Sequence, residues 1–265
     1  MNDQDQTTYG GYLRLESLLG SQAPLSPEHD EMLFIVIHQA TELWLKLCLH
    51  ELNGARALIA ADDLSPAFKM LSRTARVQTQ LIQSWEILST MTPADYQKVR
   101  AHLGSSSGFQ SYQYRELEFL LGARDAQWVG FHGSTPAVAT RLRDELARPS
   151  LYDEALGLLA RRGLPVPRAV LERDVSTRHA ADAGVEACWG EIYREPERYW
   201  DLYELAEKLV DLEYHVQLWR FGHIKTVERI IGFRRGTGGT SGVAYLTEVL
   251  SKSFFPELLS VRTTL

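Results

Sequence analysis

Two histidines and one glycine-rich turn are the residues best placed to do chemistry. His223 lies in the stretch LWRFGHIKTVERIIGFRRGTGGTSGV, residues 218–243. On a helix, its neighbours three, four and seven positions away are Val216, Trp219, Arg220, Thr226, Val227 and Ile230, a mostly apolar stripe. The same spacing around His38 gives Glu31, Phe34, Ile35, Thr41, Glu42 and Leu45, apolar on its inner side. Burying an imidazole costs free energy unless its nitrogens find partners. Two such histidines on two long helices can face each other across a cavity, although on periodicity alone a lone histidine on an apolar face is more often a satisfied core residue than a ligand.

The metal chemistries open to these histidines are few. There is no HExxH, no CxxC and no close His/Cys cluster, which argues against zinc. Glu28-His29 and Glu213…His215 have the wrong spacing for a di-iron carboxylate bundle. A haem needs only one axial histidine and an apolar slot, and Phe34, Trp85 and Trp219 could build one.

The turn RRGTGGTSG has four glycines between Gly236 and Gly242, where a helix C-cap needs one. It lacks the lysine of a P-loop, fails the dinucleotide pattern at Ser241, and follows a helix rather than a strand. Its exposed N–H groups and the Thr237 hydroxyl suit a carboxylate as well as a phosphate. Tyr96 and Arg100, four residues apart, share one helix face and can offer a phenol and a bidentate guanidinium to a carboxylate. The small-residue loop Ser105–Phe109, including Ser107 and Gly108, lets backbone approach a flat cofactor closely.

Helices must position all of these. Leu13, Leu15, Leu18 and Leu19 predict one short amphipathic helix ended by Gly20, with Tyr9 and Tyr12 on its leading edge. Residues 28–61 read as one long helix with an acidic first turn and an all-round apolar run, MLFIVI. Ser65 and Pro66 predict the N-cap and first residue of a helix to Ser89, and Thr92-Pro93 repeats the signal. Further helices are predicted for FQSYQYRELEFLLG, for 136–147, from the Ser150/Asp153 capping box to Gly163, and for 177–193, 196–231 and 243–252. No segment shows the strict alternation of a strand between hairpin turns. The expectation is an all-α fold, a long-helix bundle with short accessory helices, in a single domain over residues 1–265.

The bulk numbers set limits. An apolar fraction of 45% and a charged fraction of 23% over 265 residues describe an ordinary globular chain. A net charge of −6 disfavours a nucleic-acid or anionic-membrane partner. Cys48 and Cys188 make no disulfide framework, the N-terminus is polar, and no uninterrupted apolar run approaches the ~18–20 residues that span a bilayer. Together these predict a cytoplasmic protein with no nucleic acid and no membrane among its partners.

Several stretches together resemble the tryptophan 2,3-dioxygenase family over nearly the whole chain: TYGGYLRL, HDEMLFIVIHQATELWLKL, SSGFQSYQYRELEFLLG, PSLYDEAL, the 218–243 stretch and FFPEL. The resemblance implies a homotetramer with a haem pocket between helices, one haem b per subunit, and O2 as co-substrate. Its reaction inserts both oxygen atoms across the indole C2–C3 bond of L-tryptophan, giving N-formyl-L-kynurenine, the first step of the kynurenine pathway. It implies that His223 is the proximal iron ligand and that His38 lies on the distal side and hydrogen-bonds the indole N–H. Phe34 would pack on the indole, Tyr96 and Arg100 would meet the substrate carboxylate, and Thr237 would touch its amino-acid end. Trp85, Ser107 and Gly108 would lie beside the haem. Tyr9, Tyr12 and Leu13, within an arm formed by residues 1–20, would reach into a neighbouring subunit. One departure is Ile37, where the family pattern carries glutamine and where no contact with the cavity is expected.

Overall fold

The computed structural model describes residues 8–234 and 242–265, and among them every regular element is a helix. The chain opens with α1 (Tyr9–Tyr12) and α2 (Leu15–Leu19). These replace the single helix expected there, because Arg14 between them adopts a left-handed conformation, φ 54°. The long helix is α3 (Asp30–Ala60). It is followed by α4 (Leu64–Leu88) and α5 (Pro93–Leu103). Ser65 does not cap α4, which starts one residue before it and has no side-chain cap. Thr92 does cap α5, its hydroxyl accepting from the Asp95 N–H.

The segment FQSYQ is not continuous helix. A 3-10 turn, Gly108–Gln110, is capped by Ser107, and α6 (Tyr112–Leu121) begins afresh on the Ser111 hydroxyl. Gly122 ends α6 at φ 112°, a conformation that favours glycine. Short helices α7 (Gln127–Phe131), α8 (Pro136–Leu146), α9 (Leu151–Arg161) and α10 (Arg168–Leu171) follow. The helix expected from Thr177 starts instead at Ala183 as α11 (Ala183–Arg194), because the Asp182 carboxylate takes the N–H groups of Gly184 and Val185. The second long helix, α12 (Trp200–Ile231), starts four residues later than expected and carries His223. The chain closes with α13 (Val243–Leu250) and α14 (Pro256–Ser260), the latter not foreseen in the FFPEL segment.

α4 packs along both α3 and α12, so the two long helices and α4 form the frame. Leu45, Leu49, Leu52, Leu71, Leu81, Leu205 and Leu209 lie inside it. By length and composition α3 is sufficient to cross a bilayer, which counting uninterrupted apolar residues did not reveal. In the fold its second half is a core element, and its Arg56 is buried in an ion pair with Glu145 at 2.5 Å. Its first half leaves Met32, Val36 and Leu43 exposed on one face. Cys48 and Cys188 are free and buried.

A buried polar knot fastens the C-terminal segment. Glu257, fully buried, accepts from the Tyr152 hydroxyl (2.8 Å), His179 Nε2 (2.5 Å) and the Asp182 N–H (2.9 Å). Trp189 Nε1–H in turn donates to the Tyr152 oxygen at 3.0 Å. Burial pushes the Glu257 carboxyl up, but the donors around it outweigh burial and hold it below its ordinary value. A carboxylate depressed in the folded state contributes stability above its unfolded pKa, and that contribution is lost as pH falls through the folded value. Glu257→Ala is therefore expected to cost about 3 kcal/mol at neutral pH. The gap to the parent should narrow below roughly pH 4. Urea denaturation at several pH values checks this, and a neutral-pH loss under about 1 kcal/mol contradicts it.

Candidate haem and substrate cavity

The open end of the frame encloses a cavity of about 860 Å³. Its walls come from α3, α4, α5, the 3-10 turn, α6, α12 and α13. A small apolar cluster of Ile37, Leu88 and Ile230, with Phe34, Trp85 and Tyr96 against it, forms one side. Ile37 therefore lines the cavity, contrary to the expectation that it faces away. A second hollow of about 360 Å³, lined by Glu116, Arg141 and Asp144 among others, carries no histidine.

His223 enters the cavity from α12 between two indoles. The Trp85 ring stacks on it at 4.7 Å between centroids and 4° between planes, and Trp219 lies at 5.7 Å. His223 makes no hydrogen bond among the described residues. Burial first, then the charges of His38 and Arg115, push its imidazole down to about 4. At neutral pH it is an uncharged base with a lone pair to give, the form a metal requires. Among the described residues no three His, Cys, Asp or Glu side chains gather to hold a metal alone. A metal at His223 thus needs donors from elsewhere, which a porphyrin supplies.

His38 enters from α3. Its Nδ1–H donates to the Phe34 carbonyl at 2.7 Å, which fixes the tautomer and leaves Nε2 as an acceptor. Burial is the main cause lowering its pKa, opposed by the Phe34 carbonyl and Glu42. The Phe34 ring lies 4.2 Å from the imidazole and 6.3 Å from Tyr96. Burial raises the Tyr96 phenol, so it stays protonated and able to donate, although the Arg100 charge pulls the other way. Ser107 and Gly108 line the cavity, and a Cβ on Gly108 would meet nothing within 4 Å. The apolar walls, the neutral imidazole and this small-residue loop fit a flat tetrapyrrole.

The structure thus brings together His38, Phe34, Tyr96, Trp85, Ser107, Gly108 and His223 around one cavity. Arg100 stands one turn beyond Tyr96 on α5, beside the wall and not in it. Tyr9, Tyr12 and Leu13 are 77%, 78% and 40% exposed, and none lines the cavity of its own chain. Thr237 lies outside the described residues. Sequence reasoning placed Glu42 on the His38 stripe without giving it a role and missed Gln113, Arg115 and Tyr245, all in the wall. It used Trp219 only as an aromatic; its carbonyl accepts the Trp85 Nε1–H at 3.0 Å and so anchors the indole that covers His223.

Gly222 explains how that indole fits. A Cβ at this position would lie 2.7 Å from Trp85 Cδ1. A glycine deep inside a helix costs roughly 1 kcal/mol relative to alanine, so it needs a return. Here the return is the space that lets Trp85 lie flat on His223. Gly222→Ala should lower stability despite its better helix propensity, and should alter the near-UV circular dichroism of the Trp85–Trp219 pair. A variant more stable than the parent with an unchanged spectrum contradicts the assignment.

The comparisons with known proteins point the same way. Residues 1–141 and 145–265 match the family model described as tryptophan 2,3-dioxygenase. The tryptophan 2,3-dioxygenase of Erythrobacter litoralis is 66% identical over 97% of this chain and 98% of its own length. Those of Exiguobacterium sibiricum and Burkholderia orbicola are 57% and 56% identical, over 97% of this chain in each case and 92% and 83% of their own lengths. With a neutral imidazole facing an apolar cavity and matches of this extent, the chain belongs to the tryptophan 2,3-dioxygenase family.

Proposed function

We propose that the chain is a haem-dependent dioxygenase that converts L-tryptophan and O2 to N-formyl-L-kynurenine, opening tryptophan degradation by the kynurenine pathway. The observation that carries this reading is the neutral, unpaired His223 in a cavity that also holds His38 with a free Nε2 acceptor. His223 would hold the iron of haem b, one per subunit, with Trp85, Ser107 and Gly108 against the macrocycle. When bound, the haem supplies the redox chemistry and the O2 site by which both oxygen atoms reach the indole C2–C3 bond.

The chain's own residues contribute placement. His38 Nε2 accepts the indole N–H, and Phe34 packs against the indole ring. The protonated Tyr96 phenol and the Arg100 guanidinium hold the carboxylate, and Thr237 meets the amino-acid end. Holding a substrate at both ends in this way is worth several kcal/mol of barrier. An indole N–H is a very weak acid, so His38 orients rather than deprotonates. The apolar wall of Ile37, Leu88 and Ile230 keeps water from the reacting bond.

Each chain acts as one domain, residues 1–265, within a homotetramer. The exposed Tyr9, Tyr12, Leu13 and Leu19, with Met32, Val36 and Leu43 of α3, are apolar surface that a second copy would cover. The N-terminal arm, residues 1–20, would then bring Tyr9, Tyr12 and Leu13 to a neighbour's site. The free, buried cysteines support a cytoplasmic setting, and the net charge of −6 disfavours nucleic-acid or anionic-membrane partners.

Anaerobic reduction with haem, addition of tryptophan and then O2 tests the reading. A Soret band followed by N-formylkynurenine absorbance is the expected result. A Soret band without product would turn the reading to a haem or tryptophan sensor, and a colourless protein to a plain scaffold. Arg100→Ala should weaken tryptophan affinity about tenfold or more with haem content unchanged. Equal losses of both remove Arg100 from the substrate. His38→Ala should retain substantial turnover, whereas complete loss with intact tryptophan binding makes His38 a required base.

A further inference from the structure

The connection between α2 and α3 crosses the mouth of the cavity. Ala23 and Leu25 line the cavity, yet Leu25 is 70% exposed, which places this segment at the opening. Connections of this kind are usually the mobile part of a fold. This one is tied down near each end. Glu31 of α3, 2% exposed, accepts the N–H groups of Leu25 and Ser26 at 2.7 Å each and the Ser26 hydroxyl at 2.5 Å. The Leu25 N–H first, then the Ser26 hydroxyl, hold the Glu31 carboxyl below its ordinary value, so it is ionised at neutral pH and the bonds are charge-assisted. About two turns along α3, the Gln39 amide donates to the Ser21 carbonyl at 3.2 Å, and its oxygen accepts the Gln22 amide at 2.6 Å. Toward α5, Glu28 pairs with Lys98 at 3.3 Å.

The two ties straddle the residues that face the ligand. Glu31 stands one turn before Phe34 and two turns before His38, on the same stripe of α3, and Gln39 directly follows His38. α5 carries Tyr96 and Arg100. The segment therefore spans the two helices that supply both ends of the substrate site. Burying a carboxylate costs free energy that only good bonds offset. The hydrogen bonds of Glu31 go to this segment and not to the core, so what the charge maintains is the closure of the mouth.

We propose that residues 21–28 are a strap that retains tryptophan in the cavity, with Leu25 as the gate and Glu31 as the positioning residue that keeps the strap down. This rests on the substrate reading above. The strap touches entry and release and not the reacting bond, so loosening it changes how long the ligand stays and leaves the chemistry as it was.

Two readouts on the haem-loaded protein test this. Hydrogen exchange at the Leu25 and Ser26 amides reports the strap. Tryptophan release from the ferrous protein without O2, followed by rapid mixing at the Soret band, reports the gate. Glu31→Gln keeps the size of the side chain but puts a donor where an acceptor is needed. It should speed both exchange and release by about tenfold or more, with haem content and turnover at saturating tryptophan as in the parent. Ser26→Ala, which removes one of three donors, should fall between. Leu25→Ala leaves the clasp intact, so it should speed release with Ser26 exchange unchanged, and it carries the test if Glu31→Gln does not fold. Unprotected Leu25 and Ser26 amides in the parent overturn the proposal. So does faster exchange in Glu31→Gln without faster release, or a fall in its saturating turnover as large as its loss of affinity, which would make Glu31 a general support of the fold. If the parent shows no response to tryptophan while its strap amides are protected, the substrate reading fails and the retaining role goes with it.

Discussion

The structure turns on one imidazole, His223, half-buried between two indoles and without a hydrogen bond among the described residues. An unsatisfied polar ring in an apolar setting is a cost that a fold carries only for a return. Much of the surrounding architecture maintains that condition. α4 runs along α12 so that Trp85 can cover the ring, Gly222 gives the indole room, and the Trp219 carbonyl holds its N–H. Burial, with the charges of His38 and Arg115, keeps the imidazole neutral at neutral pH, the form in which its lone pair is available to a metal.

Across the cavity the same logic gives a different result. His38 is also half-buried, but its Nδ1–H is spent on the Phe34 carbonyl one turn back. A single local bond divides its two nitrogens into a fixed donor and a free acceptor. The two histidines are therefore not interchangeable: one makes no hydrogen bond among the described residues, the other keeps a single nitrogen free as an acceptor. Their cavity brings a neutral phenol at Tyr96 and a cation at Arg115 into the same wall, so an apolar slot is bounded by groups that suit carboxylates.

Helical periodicity made the long helices and the two histidine stripes legible, because 3.6-residue spacing survives whatever packs against it. Boundaries failed where a local bond competes with the pattern. The Asp182 cap delays α11 past Thr177, and Arg14 in a left-handed conformation splits the first helix. Arg115 was invisible for another reason. YQYRELEFLL reads as a helix with one solvated face, yet Gln113 and every residue from Arg115 to Leu121 are buried, the charges paired internally or with Arg141. Charge pairs that satisfy each other inside a core leave no period in the sequence. Tyr9, Tyr12 and Leu13 are exposed, and the role proposed for them in a neighbouring chain is one that a single chain's packing cannot express.

The central proposal is that His223 is the side chain that binds iron. Resonance Raman spectroscopy of the ferrous, haem-loaded protein tests it most directly. The account predicts an iron–imidazole stretching band that disappears in His223→Gly and returns when free imidazole is added. A band that persists in His223→Gly without imidazole would place the ligand elsewhere and contradict the account.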